Sequence, residues 1–115
     1  MRDDKENVII DLTFKFSIAI IDYCEKLESQ RKYVLARQLL KSGTSIGANA
    51  REAQNAESKA DFIHKFKVAA KEADETEYWL LLCKSSQHYP DPVGLASDLK
   101  VIIKIIAKII STSKG

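Results

Sequence analysis

Apolar residues return every three or four positions through most of the chain, the period of one helix face, and nowhere alternate strictly as in a half-buried strand. The periodic segments predict four helices, over Asn7 to Leu27, Tyr33 to Ala56, Ser58 to Ser85 and Val93 to Ser111. Pro90, Asp91, Pro92 and Gly94 crowd between the last two segments and predict a loop there. Ser58 stands three residues before Asp61, the spacing of an N-cap and an acidic third residue, so a helix should start at that point. Four long helices with short connectors predict an all-α fold, an antiparallel up-down-up-down four-helix bundle, with residues 1–115 forming one domain.

Projection at about 100° per residue separates the faces. In the second helix Leu35, Leu39, Gly43, Ile46, Ala50 and Ala53 share one side, and Arg37, Lys41, Thr44 and Arg51 gather opposite. Gly43 and Gly47 lie on or beside the inward side, with Ala36, Ser42 and Ala50 near. A mid-helix glycine costs about 0.5–1 kcal/mol relative to alanine, so close approach of a neighbouring backbone is the expected reason for both. A phosphate-cradling loop would need the G-x-x-x-x-G-K-[ST] pattern after a strand, and neither is present.

The first helix has too much apolar surface for one core. Ile9, Leu12, Phe16, Ile20, Tyr23 and Leu27 form one arc; Ile10, Phe14, Ile18 and Ile21 form a second on nearly the opposite side. The third helix points Phe62, Phe66, Ala69, Ala73, Leu80 and Cys83 inward and leaves Val68, Trp79 and Leu82 elsewhere. In the fourth, Leu95, Leu99, Ile102, Ile106 and Ile109 make the core face, flanked by Val101 and Ile105. Surplus apolar surface of this kind predicts a homo-oligomer, with Ile10, Phe14, Ile18, Ile21, Trp79, Val101 and Ile105 as candidate interface residues. The competing expectation is that the bundle covers these residues itself.

At 115 residues the chain can build a core without metal or disulfide staples. Cys24 and Cys83 are each set among apolar residues, far apart in sequence, and read as buried free thiols. MRDDKEN lacks the apolar core of a signal peptide, and lysines interrupt even the isoleucine-rich tail, so a cytoplasmic location without membrane insertion is expected.

The formal charge of +2 does not mark a nucleic-acid binder, which leaves the distribution to decide. Lys100, Lys104 and Lys108 recur along the side of the fourth helix away from its core, and Arg37, Lys41 and Arg51 form the basic face of the second. These six are candidate phosphate contacts for RNA or DNA. Simple solvation would produce the same stripe of lysines. Arg51 could equally pair with the acidic run of the third helix, Glu72, Asp74, Glu75 and Glu77. No aromatic ladder accompanies the lysines, so base stacking is not indicated. His64 and His88 lack partners at metal-ligand spacing, and neither has a glutamate three residues before it, as a bundle di-metal site requires. With no convergent nucleophile, base and orienter, no catalytic residue, metal or cofactor is expected.

The run SGTSIGANAREAQNAESKADFIHKFKVAAKEADETEYWLLL carries a resemblance. Ser45 to Asn49, Arg51 to Ala53, Ser58 to Phe62, Lys71 to Ala73 and Glu77 to Leu80 look like the hallmark region of the small four-helix bundle proteins first noticed as open reading frames in intervening sequences of bacterial 23S ribosomal RNA genes. The resemblance covers nearly the whole chain. Their superfamily includes the accessory variability determinant of diversity-generating retroelements, a homopentameric barrel that binds nucleic acid and its reverse transcriptase. The resemblance therefore implies a homopentameric ring of four-helix protomers and a nucleic-acid partner. An accessory scaffold that recruits another protein, with its basic residues incidental, is the alternative from a different class.

Overall fold

The computed structural model describes residues 4–114, with side chains described from Val8 onward. Four helices account for most of that length: α1 over Asp4–Ser29, α2 over Tyr33–Ala53, α3 over Lys59–Ser85 and α4 over Leu95–Lys114. Each packs on its chain neighbours and α4 closes back on α1, while the diagonal helices keep their backbones apart and meet only through core side chains such as Tyr23 and Cys83. The result is a square bundle of 46 × 20 × 19 Å, its long axis somewhat longer than the roughly 39 Å that 26 helical residues span at about 1.5 Å each.

The α1–α2 seam is held close by the two glycines. A methyl placed on Gly43 would lie 2.9 Å from both Cγ1 and Cγ2 of Ile20, and one on Gly47 would lie 3.3 Å from Cβ, Oγ1 and the carbonyl oxygen of Thr13. Gly43 against Ile20 and Gly47 against Thr13 also fix the antiparallel register. Across the α2–α3 seam the hydroxyls of Ser42 and Thr76, both buried, pair at 2.9 Å, and Thr76 also donates to the carbonyl of Glu72 at 2.7 Å. The core between the seams contains Ile9, Phe16, Ile20, Leu27, Leu39, Ile46, Phe66, Leu80, Leu99, Ile102 and Ile106, all almost fully enclosed. Leu12, Leu35 and Phe62, expected inside, are half-buried at its edge.

The helix ends show local chemistry. Ser58 caps α3: its Oγ accepts from the Asp61 N–H at 3.0 Å, and the Asp61 carboxylate accepts from the Glu57 N–H at 3.2 Å, one residue before the cap. The second helix stops at Ala53 rather than Ala56 because Gln54, Asn55 and Ala56 bond back three residues, to Arg51, Glu52 and Ala53, in tighter 3₁₀-type turns. The fourth begins at Leu95 rather than Val93, since Gly94 at φ +81 lies outside helical backbone. After α1 the chain turns through Arg31 at φ 64, with Lys32 N–H bonding to Leu27 and Arg31 N–H to Glu28, a Schellman closure built on a non-glycine residue. At the same end the Tyr23 hydroxyl donates to the Pro90 carbonyl at 2.6 Å and ties the α3–α4 loop to α1.

Candidate functional site

The second apolar arc of α1 is a surface ridge. Phe14, Ile18 and Ile21 are exposed by 58%, 47% and 37%, and their spacing of four and three residues places them in one line along the helix. The register set by Gly43 and Ile20 brings the exposed Leu40 of α2 alongside. Val101 is also exposed, above a crevice of about 260 Å³ between α1 and α4 lined in part by Leu12 and Phe16. Ile10, Trp79 and Ile105 are placed differently: all three are half-buried against the protomer's own core, and the Trp79 indole N–H donates to the Glu75 carboxylate at 3.2 Å.

A cleft of about 720 Å³ opens between α3 and the start of α4, where Tyr78 and Leu81 face Val93 and Ala96, with Pro92 among the loop residues lining it. Asp74 and Glu77 stand on its α3 wall and Lys100 on its α4 wall. Asp74 also lines a second hollow, of about 470 Å³, formed with Ile103, Ala107, Ile110 and Lys114, so the two make one groove along α3 and α4. Tyr78, Leu81 and Val93 are exposed by 55%, 58% and 79%. Sequence reading missed this surface. Its only signal was the pair Tyr78 and Leu81, three apart and off the core line of the third helix.

All six candidate phosphate contacts, Arg37, Lys41, Arg51, Lys100, Lys104 and Lys108, are exposed. Lys100 lines the α3–α4 cleft, and Lys104 and Lys108 continue along α4 one turn at a time. Among the described residues the ion pairs are Asp11 with Lys15 and Glu52 with Lys65, each at 3.1 Å, and none of the six takes part. The expected alternative for Arg51, an ion pair with the acidic run of α3, is therefore not formed within the protomer. Its neighbour Glu52 makes the α2–α3 link, because Glu52 and Lys65 are the charges that face each other across that seam.

The groups with perturbed titration lie at one end of the core and have a structural cause. Burial, then the charges of Cys83 and Glu28, push the Cys24 thiol up to about 12, and burial raises Cys83 as well. Tyr23 is raised far above its usual range by burial and then by the Cys83 thiol beside its hydroxyl. Cys24 and Cys83, remote in sequence, thus share one buried corner as free thiols. Raised values make them poor nucleophiles. His64 and His88 are exposed, and no cluster of three or more histidine, cysteine, aspartate or glutamate side chains could hold a metal among the described residues. No described helix is long and apolar enough to cross a membrane.

Four helices in this closed square, with exposed basic residues and two uncovered apolar surfaces, define a small all-α helical-bundle protein. The chain belongs to the 23S rRNA-intervening sequence protein family, which matches residues 5–111. It is similar to a protein of unknown function from the S23 ribosomal protein family of Bacteroides thetaiotaomicron VPI-5482, solved by crystallography. The two are 41% identical with a TM-score of 0.88, over 93% of this chain and 98% of that one. No curated protein matches.

Proposed function

We propose that the chain is a non-enzymatic accessory protein that assembles into a homopentameric ring and holds structured RNA or DNA in the cytoplasm through phosphate contacts. The observation carrying this reading is that six exposed cations on α2 and α4 remain outside any ion pair among the described residues. A ring repeats each of them around its axis, so phosphate contacts sum to more than a net charge of +2 suggests. The resemblance to the accessory variability determinant supports the ring and the nucleic-acid partner. Two free buried thiols suit a reducing compartment.

The test is fluorescence anisotropy with a labelled RNA hairpin and a DNA duplex, titrated between about 50 and 200 mM salt. Wild-type protein should bind with an affinity that falls linearly on logarithmic axes, and Lys104→Glu/Lys108→Glu should lose at least about tenfold at the low-salt end while light scattering shows unchanged size. Unchanged binding by that variant removes α4 from the interface. Absence of wild-type binding to either probe sinks the nucleic-acid reading and favours the protein-recruiting scaffold, for which the apolar cleft beside Tyr78 and Leu81 is the supporting observation.

A further inference from the structure

The α1 ridge and the α3–α4 groove lie on different sides of the square bundle, since α1 neighbours α2 and α4 and stands diagonal to α3. One is a projecting line of Phe14, Ile18 and Ile21; the other is a hollow with Tyr78 and Leu81 on one wall and Val93 on the other. A protrusion on one side and a cavity on another are the two halves of a head-to-tail contact, whereas two ridges placed together would leave both grooves uncovered.

Charge gives the same pairing and adds a direction. Projection at about 100° per residue sets Asp11 and Asp22 on the flank of the ridge away from α2, together with Lys26 and with Lys15, which pairs with Asp11. On the other flank α2 carries exposed Arg37 and Arg51. The ridge is therefore mixed in charge on one side and basic on the other. The two walls of the groove differ in balance: Lys100 and Lys114 stand on α4, and Asp74 and Glu77 with Lys84 beyond them on α3, with Asp91 in the loop at the end. Of the two ways to lay a helix along a groove, one sets the α2 arginines against Asp74 and Glu77 of α3, and the other sets them against the α4 lysines. Arg51, outside the ion pairs of the described residues, acquires a partner in this arrangement.

We infer that the Phe14–Ile18–Ile21 ridge of one copy seats in the α3–α4 groove of a second copy, oriented by the α2 arginines against the α3 acids. This deepens the assembly reading above and rests on it. The contact is heterologous, so each protomer offers one ridge and one groove, and the chain of contacts makes a ring when its repeated rotation closes. It also divides the basic residues by role: Arg37, Arg51 and Lys100 face the neighbouring copy, and Lys104 and Lys108 are left for other ligands.

Cross-linking with a short bis-maleimide separates the arrangements. The native thiols are buried and poorly ionised, so Ile18→Cys and Leu81→Cys supply the reactive groups. The double variant should give a covalent ladder up to the size of the assembly, each single variant should stay uncross-linked, and mixed single variants should give dimers. A dimer from Ile18→Cys alone or Leu81→Cys alone, or no ladder from the double variant in a preparation that light scattering shows to be assembled, overturns the docking while leaving assembly intact. Wild-type protein that scatters as a monomer overturns both. As a second measurement, Phe14→Glu and Leu81→Glu alter exposed positions on the ridge and the groove, so each should keep its helical circular dichroism and dissociate. Leu81→Glu that retains full size refutes the groove as the seat.

Discussion

Gly43→Ala tests whether the α1–α2 seam depends on an absent methyl. Alanine should gain about 0.5–1 kcal/mol from helix propensity alone. The added carbon, however, would meet Cγ1 and Cγ2 of Ile20 at 2.9 Å, and Ile20 is fully enclosed. Cγ2 hangs directly from a branched Cβ, and a helix restricts χ1 of isoleucine to essentially one rotamer, so the side chain cannot swing aside. The helices must separate slightly, at the overpacking cost of about 1–3 kcal/mol. Taken at mid-range the difference is a net loss of about 1 kcal/mol, which at a urea slope of about 1–3 kcal/mol/M lowers the midpoint by roughly 0.3–1 M. Urea melts followed by circular dichroism at one fixed protein concentration measure it, since assembly adds to apparent stability. Gly47→Ala, whose methyl would meet Thr13 at 3.3 Å, should lose less. A Gly43→Ala protein as stable as wild type or more so refutes the argument that contact, rather than propensity, governs this site.

Four further outcomes follow from local geometry. Arg31→Gly should stabilise by about 1 kcal/mol, because a side chain at φ 64 is strained where glycine is free, and a lower urea midpoint would contradict the Schellman reading. Ser58→Ala removes the acceptor for the Asp61 N–H and should cost about 1 kcal/mol; an unchanged melt would show the cap to be idle. Thr76→Val with Ser42→Ala should show coupling in a double-mutant cycle, and strictly additive losses would mean the hydroxyl pair contributes nothing. Cys24 ionises near 9.0 when unfolded and near 12 in the fold, so its neutral thiol favours the native state below pH 9, and that contribution is lost as pH rises from 9 to 12. Alkaline melts of wild type should steepen over that window relative to Cys24→Ala; parallel curves would remove Cys24 as the cause.

Strong periodicity made the four helices legible, and chemistry local to a few residues made the Ser58 cap and the loop at Pro90 and Pro92 legible. Gly43 and Gly47 could be read as packing positions because a helix interior tolerates glycine only for a reason. Their partners, Ile20 and Thr13, could not, since pairing depends on the register between two helices. The same holds for Ser42 with Thr76, 34 residues apart, and for Tyr23 with Pro90, 67 apart, each an ordinary small or aromatic residue until the bundle closes. The Arg31 turn was hidden because the usual glycine signal is missing. Of the candidate surfaces, the α1 ridge followed from the second apolar arc, whereas Trp79 and Ile105 proved to belong partly to the core. The α3–α4 groove arises from how far two helices stand apart, which no periodicity encodes.

The closure of α4 onto α1 has a kinetic consequence. The contacts of α1 with α2, of α2 with α3 and of α3 with α4 join segments adjacent in sequence, and only the α1–α4 seam joins the two ends of the chain. Its loop is the longest to close and the last to be rewarded with contacts. Hollows border α4 on both sides, against α3 and against α1, leaving it the least embedded of the four helices. Native-state hydrogen exchange should therefore find the amides of α4 opening as a unit at lower free energy than those of α2, with the first three helices persisting as a folded hairpin pair beneath it.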